Sequence, residues 1–401
     1  MSDATLTEAG SSKDDVPAEA AHHGRGGRGR SDPATLFKWA AWLALALLVL
    51  TPPLYFEPSW LRVGQYVMIG AVGAIGLTLL TGQAGQLSLA HPFFMFVGGV
   101  TYCVLGSPDK PGKVGFGLPS MVALLGAILV AAALGLAFAP VSGRVRGVYL
   151  GVATLSLVYV GLYLGQQWTS LSGGTASGRP APDLNFFGLH TLKSEPKFSF
   201  LGQTMEREQR VWYLFLLFVL IAAVMAWGAV RSRPGRAWRA VRDNQSAASA
   251  LGVNVPRVRA EVFAISSGYA GLAGVMTVMW YRLLKPDESE FAGTYSIVVA
   301  IAFLAMILIG GLGSVGGAIA GAVLVFGLPG MLTIMIGGNQ LFGMSGPHAV
   351  TPAIFTAFVY GTAIILVVLF EPGGLAALGR RVKATLCRTQ LGSLLLSPKG
   401  S

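Results

Sequence analysis

The feature that most constrains this chain is a recurrence of long apolar runs separated by short loops. The runs fall at about 36–51, 63–80, 87–105, 119–140, 148–165, 211–230, 260–281, 296–309, 318–336 and 352–370. About 20 apolar residues in a helix cross the hydrocarbon of a bilayer. Only helices and closed barrels satisfy their own backbone there. Composition agrees: 53% of the 401 residues are hydrophobic and 12% are charged, against about 25% charged in a soluble domain. The expected fold is all-α, a polytopic transmembrane helical bundle of about ten spans.

Charge sets the topology. The formal net charge is +11, which in a soluble protein would raise nucleic acid as a partner. Here the cations sit between and beyond the apolar runs, at Arg25, Arg28, Arg30, Arg144, Arg146, Arg380, Arg381, Lys383 and Arg388, and most densely in 231–259. That is the positive-inside distribution of a membrane protein, with no nucleic acid implied. Ten spans then put both termini on the cytoplasmic side. Residues 1–35, polar and without apolar periodicity, read as a disordered cytoplasmic tail. They do not read as a signal peptide, because the first apolar run starts late. Residues 36–372 form the membrane domain and 373–401 a basic cytoplasmic tail. The loop 166–210 is the large extracytoplasmic one, with a small ordered structure expected around Ser172 to Thr175.

Three stretches carry polar or small residues where lipid would not favour them. The first, Thr81 to His91, reads TGQAGQLSLAH. Gln83, Gln86, Ser88 and His91 are read either as helix–helix hydrogen bonding or as a discontinuous helix lining a translocation path. Residues 81–86 are a cytoplasmic turn or a break within one crossing. The second, GGLGSVGG from Gly310 to Gly317, lacks the Lys-Ser/Thr and the preceding strand of a phosphate loop. Gly310, Gly311, Gly313, Gly316 and Gly317 therefore read as a packing face. The third, Gly268 to Gly274, is a second such face.

The segment 231–259 holds seven arginines against one acid within it, Asp243. Its centre reads as a short helix, capped by Asp243 or Asn244 and closed by Gly252, with Pro256 blocking extension. Such a helix between two spans suggests a surface for a cytoplasmic partner. Glu261 is expected to pair with a nearby arginine such as Arg257.

No Ser/His/Asp set, paired intramembrane carboxylates or HExxH motif is present, so no catalytic residue is assigned. Cys103 and Cys387 do not form a plausible disulfide, and no metal spacing or cofactor motif exists. The spans hold almost no ionisable residue, which removes the usual means of ion coupling. Energy for transport must then come from docked ATPases.

Several stretches together resemble a known family. TGQAGQLSLAHPFFMFVGG, RVRGVYLGVATLSL, GRAWRAVRDNQSAASALGVNVPRVRAEVFAISSGYAGLAG, ILIGGLGSVGGAIAGA and VVLFEPGGLAAL resemble, in order, segments of the M-type permease of branched-chain amino acid ABC importers. The resemblance implies a non-enzymatic transport subunit of the bacterial inner membrane. It also implies a homologous H-type permease, two cytoplasmic ABC ATPase subunits and an extracytoplasmic substrate-binding protein as partners. Leucine, isoleucine and valine would be the cargo. The ATPase-coupling surface it implies comprises Arg242, Asn244, Ala247, Ala248, Leu251 and Gly252. Similar permeases serve urea and short amides, and this chain has Thr175-Ala176-Ser177-Gly178 where relatives often carry Thr-Asn-Gly. A stand-alone secondary transporter and a membrane-embedded lipid-phosphate transferase are the competing classes. The transferase would need more cytoplasmic acids than Asp243.

Overall fold

The computed structural model describes residues 49–145, 147–186, 189–190, 199–200, 203–204, 206–286, 294–337 and scattered positions from 355 to 381. The chain divides into two units, Met1–Leu50 and Thr51–Ser401. In the first, only Val49 and Leu50 are described, both helical. The tails at 1–35 and 382–401, most of the span expected at 36–51 and ten of the nineteen positions of the span expected at 352–370 lie outside the described residues.

The second unit is helical. Its helices are α1 (Pro58–Leu77), α2 (His91–Gly106), α3 (Ser120–Arg144), α4 (Val148–Gln167), α5 (Arg207–Arg231), α6 (Arg233–Asp243), α7 (Gln245–Ala250), α8 (Val255–Tyr281), α9 (Ile297–Gly310), α10 (Val315–Ala322) and α11 (Leu328–Gly337). A π-helical turn, Thr78–Gln83, prolongs α1, and a second, Val323–Gly327, joins α10 to α11. Among the described residues, six helical stretches are long and apolar enough to cross a membrane: Pro58–Gln83, Ser120–Arg144, Tyr149–Gln167, Arg207–Arg231, Val255–Tyr281 and Val315–Met335. α2 and α9 are apolar but shorter. Eight of the ten expected apolar runs are thus helices here, six of full length.

Burial sorts them. In the α1 and α8 stretches 78% of the apolar window is buried, against 28% in α3, α5 and α10–α11. α1 and α8 are the inner helices. Leu129 on α3, Leu220 and Val224 on α5 and Met335 on α11 stay exposed, as lipid-facing residues would.

Glycine sets the closeness of the inner crossings. A Cβ on Gly274 of α8 would overlap the Met95 carbonyl of α2, and one on Gly98 would overlap the Gly271 backbone. Backbone therefore lies on backbone where α2 crosses α8, the small-residue mode of helix association in lipid. The turn from α9 to α10 closes the same way. Cβ atoms on Gly310 and Gly317 would each overlap the other's carbonyl, and Gly311 and Gly313 take φ of +104° and +80°. Gly316 does not share this role, because nothing lies within 4 Å of a Cβ built there.

Contacts fix the direction of each helix. Gln65 of α1 donates to the Glu208 carbonyl at the start of α5, and Arg207 donates to the Met279 carbonyl near the end of α8. At the opposite end, Arg259 donates to the Gly143 carbonyl and Arg242 to the Gly82 carbonyl. The eight apolar helices alternate between the two ends, and the basic segment 231–259 lies wholly at one of them.

At the other end, residues 107–119 and 168–184 form an ordered loop. Ser172 Oγ donates to the Gly165 carbonyl, Gly173 turns at φ +84°, and Arg179–Pro180 pairs with Leu283–Leu284. Arg179 is buried inside it. Its guanidinium donates to the carbonyls of Val114 at 2.7 Å and Leu171 at 3.2 Å. Burial pulls its pKa below the ordinary arginine value. Arg179→Ala is expected to cost about 1.5–3 kcal/mol from these charged hydrogen bonds. Limited proteolysis should then cut within 107–119 and 168–178, sites protected in the parent protein.

Candidate functional site

The polar stretch 81–91 combines both expected forms. After the π turn the chain reverses at the basic end, as a turn would. It then runs back without regular structure from Gly85 to Ala90 before α2 starts at His91. Phe303 of α9 lies against both Gly73 of α1, where a Cβ would overlap its ring, and His91, which places the two at one level. Gly73 precedes Gln83 by ten residues, or about 15 Å along the helix. α2 therefore begins midway along α1, and the first half of this crossing is non-helical.

Such backbone is tolerated within a membrane only when covered by protein or water. Here it is covered by protein. Leu89 N donates to Thr154 Oγ1 of α4 at 2.9 Å, and Ala90 N to Ser88 Oγ at 3.3 Å. Thr81 Oγ1 donates to the Gln86 carbonyl.

Gln83, Gln86, Ser88 and His91 are all buried in this conformation, each 5% exposed or less. Gln83 Nε2 donates to the Gly313 carbonyl at 2.6 Å. Its Oε1, both amide atoms of Gln86 and Nε2 of His91 are buried without a hydrogen-bond partner. His91 lies beside Phe303 of α9, ring centroids 5.7 Å apart. Unmet buried polar atoms are costly. Four such atoms fall between Gln83 and His91.

At the basic end, two helices stand where one was expected. α7 is the expected one: Asn244 Oδ1 accepts from Ala247 N at 3.0 Å, and Gly252 takes φ +82° after it. α6 precedes it, with Pro234 in its first turn and Gly235, Trp238 and Val241 buried. Its signal was the apolar spacing of Trp238 and Val241 among arginines. Pro256 ends nothing by itself; it lies in the first turn of α8, where Asn254 Oδ1 accepts from Arg257 N.

The residues assigned to coupling separate by exposure. Ala248 is buried under α7, whereas Ala247 and Gly252 are exposed and Leu251 is 83% exposed. Arg257 and Glu261 pair at 3.1 Å as expected. Two of the arginines turn inward. Arg259 and Arg242 donate to carbonyls near the C-terminal ends of α3 and of the α1 π turn, where a cation offsets the helix dipole. Among the described residues no group of three or more His, Cys, Asp or Glu side chains is placed to hold a metal ion.

A helical membrane bundle with a half-helical crossing and glycine-closed inner contacts is the architecture of a permease. Residues 60–369 match the family described as branched-chain amino acid transport system / permease component, and the chain belongs to it. It is 28% identical over 292 residues to the high-affinity branched-chain amino acid transport system permease protein LivM of Salmonella typhimurium, covering 71% of this chain and 66% of that protein. LivH of the same organism is 30% identical over 258 residues, 64% of this chain and 79% of LivH. The autoinducer 2 import system permease LsrC of Salmonella paratyphi B is 27% identical over 232 residues, 58% of this chain and 57% of LsrC. The resemblance is to the M type, which matches more of the chain. No solved structure matches it.

Proposed function

We propose that this chain is the M-type permease subunit of an ABC importer in the bacterial inner membrane. It forms, with a homologous H-type permease, the translocation path for leucine, isoleucine and valine. Two ATPases dock on the basic end at α7, an extracytoplasmic substrate-binding protein docks on the opposite end, and both termini are cytoplasmic. Gln83, Gln86, Ser88 and His91 line the path in the conformation that opens it. The chain hydrolyses nothing itself. ATP binding closes the ATPases and moves α6 and α7, and the bundle alternates its access.

The observation that carries this reading is the half-helical crossing within a chain of this family. It puts Ser88 and His91 at mid-bundle, and the spans hold almost no charge that could couple transport to ions instead. The test is uptake of radiolabelled leucine into proteoliposomes holding the chain, an H-type permease and the two ATPases, with the binding protein added. Uptake is expected only with ATP and both ATPases present. Uptake by this chain alone, driven by an ion gradient, would mean a secondary transporter. ATP-driven uptake of urea or an amide with leucine ignored would change the cargo and keep the class.

A further inference from the structure

The structure ties the cytoplasmic helix pair to the polar crossing through one side chain. Arg242 is the penultimate residue of α6. Its Nη1 donates to the Gly82 carbonyl at 2.7 Å, while its Nε pairs with Asp243 at 3.0 Å. The stem of the same side chain lies over Gly85, where a Cβ would come 2.7 Å from Arg242 Cγ. Gly85 also takes φ +69°, so a side chain there is strained whatever the space. The arginine therefore grips the reversal between the π turn and the non-helical segment from both sides.

The grip continues across the bundle. Gly82 packs its backbone on that of Gly313, so closely that a Cβ would overlap the Gly313 nitrogen. Gln83 donates to the Gly313 carbonyl at 2.6 Å. A guanidinium–carbonyl bond is charge-assisted and directional. Displacing the end of α6 by an ångström or more must either break it or carry residues 82–85 along. Those residues in turn hold the turn between α9 and α10.

We propose that Arg242 is a positioning residue that transmits movement of the α6–α7 pair to the half-helical crossing and the α9–α10 turn, rather than a contact for the ATPase. This rests on the importer reading above, but the two fail differently. If the parent complex shows no ATP-driven leucine uptake, the importer reading falls before Arg242 is tested. Given such uptake, the quantity to measure is leucine imported per ATP hydrolysed in proteoliposomes, with copurification of the ATPases as a parallel readout.

Arg242→Ala is expected to assemble with the ATPases and to lower import per ATP at least tenfold. Arg242→Lys, which can still donate to the Gly82 carbonyl, is expected to recover a third or more of the ratio. Gly85→Ala leaves the guanidinium intact but displaces its stem, and is expected to lower the ratio at least fivefold. An unchanged ratio in both Arg242→Ala and Gly85→Ala would overturn the proposal. So would loss of the ATPases from Arg242→Ala, because that outcome assigns the residue to docking.

Discussion

Gly274→Leu is expected to leave no monodisperse folded protein after extraction in mild detergent. The position lies where α8 meets the backbone of α2, and even a methyl group would overlap the Met95 carbonyl. A helix carbonyl cannot yield like the tip of a side chain, so the two helices must separate along the whole crossing. Gly274→Ala, the smallest increment, is expected to cost at least the 1–3 kcal/mol usual for overpacking, at roughly the upper end of that range. Its unfolding midpoint in detergent should fall by several degrees. Gly316→Ala is the matched control. It is also a helical glycine, but in open space, and should gain up to about 1 kcal/mol from helix propensity. A Gly274→Ala protein as stable as the parent would show that α2 and α8 do not approach this closely.

The second large effect concerns docking. Leu251→Asp is expected to lower copurification of the ATPases by tenfold or more while the chain still inserts and folds. Leu251 follows α7 directly and is 83% exposed, so its replacement breaks no internal contact of consequence. A buried apolar anchor at the centre of an interface is typically worth about 2 kcal/mol or more, roughly 30-fold in affinity. A carboxylate would add desolvation cost. Ala248→Glu makes a poor substitute, since Ala248 is 2% exposed and a charge there would disrupt the helix pair itself. Wild-type copurification with Leu251→Asp would remove α7 as the docking surface.

Much of this was legible in the sequence, because lipid imposes a simple rule on helices. Eight of the apolar runs gave helices within a few residues, six of them long enough to span, and the Asn244 cap and Gly252 gave α7. The polar cluster at 81–91 identified the interrupted crossing. Its exact form was not legible: whether six residues turn or climb depends on a partner such as Thr154, sixty-five positions away. α6 was hidden by its arginines, which read as topology signals although Trp238 and Val241 form a buried face. The inward roles of Arg179, Arg242 and Arg259 were invisible for a common reason. Each donates to a backbone carbonyl, and a carbonyl carries no residue-type signature.

The glycine crossings bear on how variation in this chain should be interpreted. Suppose every position were substituted in turn and cells scored for growth on the cargo. The deepest losses would fall at Gly82, Gly98, Gly274, Gly310, Gly317 and Gly321, where an added Cβ meets backbone. None of these needs to touch a transported molecule. In this architecture, intolerance to mutation measures first how far apart two main chains can stand. Positions that select cargo would surface only in a screen that changes the cargo and asks which variants change rank.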